Sequence, residues 1–343
     1  MQKLKEVLNT SNSFIDYSTP INNVGVNTVG IGSFPSSASS FGGGVLAPNG
    51  KIYGIPDFAT SVLEIDPVTQ TTTTFGSFDN SSKWFGGVLA PNGKIYGIPF
   101  GSSTVLVIDP VRQIITNLFV PVTAGPQKWS GGVLAPNGNI FGIPWNESRV
   151  LEINPVTGTS SIIGSASGGF AKWSGGVLAP NGKIYGIPYD RTSVLEIDPV
   201  ARTSTTFGSV GSGLAKWQGG VLAPNGKIYG IPYNATSVLE IDPVAGTATT
   251  FGSTSGSWSG GVLAPNGKIY GMPSISTSVL EIDPIARTVT TFGSTSGAST
   301  GGVLAPNGKI YGIPNNTLKV LVLSIPSTEK PAQWMLGAYC NKF

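Results

Sequence analysis

The sequence predicts an all-β protein, a seven-bladed β-propeller of four-stranded antiparallel blades whose ring is closed by an N-terminal strand completing blade seven. Three observations predict it. The string Gly-Gly-Val-Leu-Ala-Pro-Asn-Gly begins at Gly43, Gly86, Gly131, Gly175, Gly219, Gly260 and Gly301, seven copies at spacings of 41 to 45 residues. That period is the length of a four-stranded propeller blade. Forty-eight glycines and 26 prolines in 343 residues interrupt helices, and the abundant Thr, Val and Ile lose rotamer freedom inside them. Finally, every repeat alternates short apolar runs with turn residues, the pattern of strands joined by tight turns.

The elements follow in order from the first copy. Residues 43–48 and 51–56 are the innermost strand A and its neighbour B, joined at Pro48-Asn49-Gly50. Asn-Gly tolerates positive φ at both central positions of a hairpin turn. Ser61-Val62-Leu63-Glu64-Ile65-Asp66 is strand C. It stops at Pro67, which cannot donate to the ladder, after an aspartate that bonds its own backbone. Threonine-rich residues 71–76 are the outermost strand D. The seventh copy supplies 301–306, 309–314 and 318–325 and lacks a fourth strand. Asn27-Thr28-Val29-Gly30-Ile31-Gly32-Ser33 aligns with residues 71–77 and stands alone before blade one. It is expected to complete blade seven, tying the ends and covering a sheet edge. The chain thus divides into an N-terminal arm (1–26), one propeller (27–325) and a tail (326–343) expected to pack on the rim.

The turn Ala47-Pro48-Asn49-Gly50, the apolar run 52–55 and the strand 62–66 resemble the YVTN-type and NHL-like propellers. In those, a Ser-Pro-Asp-Gly-type turn precedes an apolar strand and a Val-x-Val-Ile-Asp strand. The resemblance covers residues 27–325. It implies the propeller fold and leaves function open, because such propellers host enzymes, lectins and scaffolds.

Composition excludes several classes. Net charge is +3, with basic and acidic residues alternating through the repeats and no basic arm, so nucleic acid is not the expected partner. No apolar stretch spans a bilayer and no signal peptide is recognisable, so a soluble, cytoplasmic monomer is expected. Two sequons, Asn146-Glu147-Ser148 and Asn234-Ala235-Thr236, matter only on a secretory route. Cys340 is the only cysteine, which rules out an internal disulfide framework.

In a blade the A–B and C–D turns share one side, and the B–C and D–A loops share the other. The turn side repeats Pro-Asn-Gly and Asp-Pro-Val; the loop side carries the variation, which is where rigid scaffolds place recognition. Lys83-Trp84, Lys128-Trp129, Lys172-Trp173 and Lys216-Trp217 recur before strand A, and Trp258 stands alone in blade six. After strand B come Trp145-Asn146, Tyr189-Asp190 and Tyr233-Asn234. An aromatic plate beside an ammonium and an amide or carboxylate can hold a sugar ring, which gives a multivalent lectin reading. The simpler reading plugs the gaps between blades with Trp and lets Lys snorkel to water, and it is the default. The expected function is a non-catalytic scaffold holding a protein partner through the loop face, with glycan binding as the alternative.

Catalysis is not expected. The chain has no histidine, which removes Ser-His-Asp triads, imidazole bases and His-bound metals. A lactonase-like hydrolase with carboxylate ligands trails behind, since strand A is nearly identical seven times and carries no acid. Glu64, Glu152, Glu196, Glu240 and Glu281 recur on strand C, too far from the axis to converge on one calcium. They are expected to pair with a neighbouring Lys or face a wet seam, while the lysines after the Asn-Gly turns form a solvated rim. No cofactor and no metal is expected.

Overall fold

The computed structural model describes residues 31–32, 40–121, 125, 127–166 and 168–325. It is a seven-bladed β-propeller. Six blades are four-stranded sheets in the order A–B–C–D, and the seventh has three strands. The arm, the tail with Trp334 and Cys340, and residues 27–30 and 33 of the expected closing strand lie outside the described residues.

Strand A begins earlier than its pattern predicts, at the aromatic residue: Trp173–Leu178 in blade four. Trp173 pairs with Pro188, and the ladder then shifts register before Gly176 pairs with Gly186. Ser174-Gly175 is therefore a bulge, and Gly175 takes φ +76. Both glycines of the repeat have a steric cause. A Cβ on Gly175 would lie 3.2 Å from the Cα of Gly219 in the next blade. A Cβ on Gly176 would lie 2.6 Å from the Cδ1 of Ile143, which reaches in from the preceding blade. Inner strands can therefore pack backbone to backbone around the axis only if neither residue has a side chain.

The A–B turn differs from the expected one. Gly50 N–H donates to Ala47 C=O at 3.0 Å, so Pro48 and Asn49 are the central residues. Gly50, at φ +77, follows them in the left-handed region, whereas Asn49 stays at negative φ. Proline fixes φ near −65° at the first central position, which selects a type I turn followed by a left-handed glycine over the two-residue Asn-Gly turn. The C–D turn is as expected: Asp66 Oδ1 accepts from Val68 N–H at 2.9 Å and Thr69 N–H at 3.1 Å.

No blade has a core of its own. Each apolar cluster straddles two blades: Val133, Phe141, Ile143 and Val150 of blade three meet Trp173, Ile184, Leu195 and Ile197 of blade four. Blades one and seven join in the same way, with Phe41, Ile52 and Leu63 against Tyr311, Ile313 and Val320. Ile31 belongs to that last cluster and pairs with Val320, whose N–H donates to the Ile31 carbonyl at 3.1 Å. Phe75 pairs with Val62 in the same register within blade one. Gly32 and Gly76 follow at φ +83 and +79. At the two described residues of the segment, the match to residues 71–77 thus holds to the residue.

A polar seam joins the blades on the turn side. Glu64 accepts from Lys51 at 2.6 Å, from the Tyr53 hydroxyl at 2.9 Å and from Gln113 of blade two at 3.0 Å. Burial alone would raise the Glu64 pKa, but these three donors outweigh it and hold the carboxyl below its ordinary value. Lys183, Lys227 and Lys268 bind Glu196, Glu240 and Glu281 at 2.5–2.9 Å. Arg202 and Arg287 reach across to Glu152 and Glu240 of the preceding blades. Glu64, Glu196, Glu240 and Glu281 thus pair with lysine as expected, whereas Glu152 takes Asn139 and Arg202. Lys51, Lys183, Lys227 and Lys268 are seam donors and not a free solvated rim.

Candidate functional site

The residues expected on the loop side separate into two layers. The lower layer is buried. Trp84, Trp129, Trp173, Trp217 and Trp258 are all at most 4% exposed. Each indole N–H donates to a backbone carbonyl at the start of strand C in its own blade, for example Trp173 to Ser193 at 2.9 Å. No sugar can stack on a ring enclosed in this way, so the packing reading holds for all five.

Their lysines do not snorkel. Lys83, Lys128, Lys172 and Lys216 are buried, Lys172 completely. The ammonium groups are caught under backbone carbonyls: Lys172 Nζ donates to Glu147 C=O at 2.9 Å and Gly169 C=O at 3.2 Å. Lys83 donates to Asp79 and Ser81, Lys216 to Gly213. Each therefore fastens its D–A loop over the tryptophan, and the carbonyl dipoles only partly replace the water that the charge has lost. Burial lowers all four pKa values, and that of Lys172, with Arg191 adding to the effect, falls to about 8.

The upper layer faces solvent. Trp145, Tyr189 and Tyr233 are half-buried and stand at one position, directly after strand B, in blades three to five. Their ring centroids are 4.6 Å (Trp145–Tyr189) and 5.9 Å (Tyr189–Tyr233) apart. Phe100 continues the row at 5.9 Å from Trp145, and Phe85 extends it at 5.7 Å from Phe100. The result is a continuous arc of five aromatic rings over four blades. The sequence reading omits Phe85 and Phe100, although Phe100 follows Ile98-Pro99 as Tyr189 follows Ile187-Pro188. Burial, with Tyr233 and Asp190 adding to it, pushes the Tyr189 hydroxyl up to about 12, so it stays a donor at neutral pH. The polar partners of the arc brace loops: Asn146 Oδ1 accepts from Ala171 N–H at 2.8 Å, and Asp190 Oδ1 from Ala215 N–H at 2.7 Å. Asn234 is exposed.

Large apolar side chains are also exposed on this side of the ring. Phe170, Leu214 and Ile275 are 81%, 70% and 74% exposed on loops of the same side. The turn side also exposes Val68, Val111, Val156, Val200, Val244 and Ile285, but as single branched residues one blade apart, each beside a polar turn. In blade one the arc position is Asp57, a buried carboxylate accepting from Ser82 Oγ at 2.6 Å. Burial raises its pKa against the hydrogen bonds and the Lys83 charge. Among the described residues no group of three or more His, Cys, Asp or Glu could hold a metal ion, and no helix is long and apolar enough to cross a membrane.

No family model matches the chain, and no curated protein matches it in sequence. Solved structures share its fold. A streptogramin B lyase structure aligns over 85% of this chain and 95% of its own at 13% identity, with a TM-score of 0.74. Virginiamycin B lyase from Staphylococcus aureus, as a catalytically inactive histidine-to-alanine variant with quinupristin, aligns over 85% and 97% at 13% identity and the same TM-score. An extracellular domain of the one component system BT4673 from B. thetaiotaomicron aligns over 88% of this chain and 44% of its own at 10% identity, TM-score 0.66. At these identities the likeness is one of fold.

Proposed function

We propose that this propeller is a non-catalytic binding module that holds a protein partner on its loop side, with the aromatic arc as the centre of the contact. The arc is the observation that carries the reading. Half-buried Trp and Tyr supply large contact area at little cost in side-chain entropy, and such residues dominate interface energetics. Phe170 and Leu214 add exposed apolar surface on the same side, and exposed apolar clusters rimmed by polar loops mark interaction surfaces. The lectin reading built on the Lys-Trp loops lacks the exposed rings it requires.

Two facts support a module without catalysis. The histidine-to-alanine lyase variant is catalytically inactive, and this chain contains no histidine. The seven inner strands meet through glycines, so they bring no acid or base to the axis. The neighbouring folds include both enzymes and an extracellular domain, so the fold does not favour the cytoplasmic location expected from the sequence.

The test compares the parent with a Trp145→Ala/Tyr189→Ala variant in affinity capture from the source cells, followed by titration of the captured protein. The variant should keep its melting temperature and bind roughly tenfold or more weakly, as loss of hot-spot aromatics implies. Equal capture and equal affinity for both proteins would remove the arc as the contact and this reading with it.

A further inference from the structure

Between blades five and six the loop side opens into a cleft of about 930 Å³, reaching from Tyr233 and Asn234 across Ser257 and Trp258 to Ile275 and Thr290. Its origin is legible in the chain. The loop entering blade five runs over residues 208–216 and ends in the buried Lys216. The loop entering blade six is the shorter 252–257, and Ser257 stands where the lysine would be. The missing residues and the missing lysine stem leave the cleft.

Its lining has a definite chemistry. Every residue in it is uncharged, and most are serine or threonine. A charged ligand would shed hydration there without meeting a counter-charge. The side chains of Asn234, Thr236, Ser253, Ser255, Thr277 and Ser278 make no hydrogen bond among the described residues, and hydroxyls and amides both donate and accept. Ser257 is itself buried, and its Oγ has no hydrogen-bond partner, a costly state for a polar atom unless a ligand or water completes it. Ile275 and the Tyr233 ring add apolar surface at the rim.

We propose that this cleft binds a neutral, polyhydroxylated ligand, a short oligosaccharide. Hydroxyls of the ligand meet the serine and threonine side chains, and its C–H faces meet Tyr233 and Ile275. The volume lies within the range of small-molecule sites. The proposal shares only Tyr233, the last ring of the arc, with the protein-binding reading and otherwise uses residues of blades five and six beyond it.

The test is an array of defined neutral and acidic oligosaccharides, followed by calorimetry with the strongest neutral one. The comparison set is the parent, Asn234→Ala/Ile275→Arg, and the arc variant Trp145→Ala/Tyr189→Ala. Asn234 and Ile275 are exposed, so the cleft variant should fold, and its melting curve checks this. The expected result is binding of neutral sugars by the parent and the arc variant, weakened about tenfold or more in the cleft variant through lost hydrogen bonds and an introduced charge. Absence of neutral-sugar binding, preference for acidic sugars, or unchanged binding by the cleft variant would overturn the proposal. Loss in the arc variant alone would move any sugar site to the arc.

Discussion

At the scale of single residues, the Lys-Trp pair shows how one motif fits two readings that differ only in burial. Both readings need an aromatic and an ammonium adjacent in sequence. Only the packing of the neighbouring blade tells whether the ring is covered. Trp173 is fully enclosed between blades three and four, so Trp173→Ala should cost about 3–5 kcal/mol, the range for large aromatic truncations in a core. A denaturant midpoint unchanged within error would show the ring to be unimportant to stability. Lys172 gives a pH prediction. Its folded pKa, about 8, lies below the ordinary 10.5 because burial and Arg191 disfavour the charge. Between those values the unfolded chain binds more protons, so stability should rise with pH there, and the full penalty persists below the folded value. Urea midpoints measured from about pH 7.5 to 9.5 should increase, and less steeply in Lys172→Met. An identical slope in that variant would remove Lys172 as a source.

At the scale of the blade, strands and turns were legible because each has a local cause. Asp66 makes its turn with its own side chain, and threonine-rich strands such as Thr71–Phe75 read as outer strands. The A–B turn was misread because the Asn-Gly pair was weighed without the proline before it. The seam was only half legible. A Lys–Glu pair within one blade follows from strand pairing, whereas Gln113, Arg202 and Arg287 come from the next blade. Glu240, buried between Lys227 and Arg287, supplies the test. Glu240→Gln should cost about 1–2 kcal/mol, at the low end for charge-assisted bonds because both cations are a third or more exposed and screened. Burial raises the Glu240 pKa, but Arg287 and Lys227 outweigh it and bring it below its ordinary 4.5. Its contribution is therefore present above the unfolded value and lost as pH falls through the folded one. The variant and parent should converge in urea midpoint under acid; a gap that persists there would refute the ionic account.

At the scale of the whole molecule, the ring stands on contacts between strangers in sequence. Ile31, 4% exposed, pairs with Val320, the residue just before the third strand of blade seven. Removing residues 1–33 should uncover that strand edge, lower stability by at least about 2 kcal/mol through the lost core side chain, and promote self-association. Light scattering and thermal melts read both effects, and a truncated protein that stays monodisperse with an unchanged melting temperature would show that closure does not depend on this segment. The sequence by itself determined the repeat, the blade number, the strands and the register of Ile31, because each is encoded within one period or in a match between periods. Only the tertiary structure decided which aromatics are walled in and which form the arc, and where a shortened loop leaves a cleft. The reason is physical: every blade completes its core with the next one, so the exposure of a side chain is set by residues about a full repeat away.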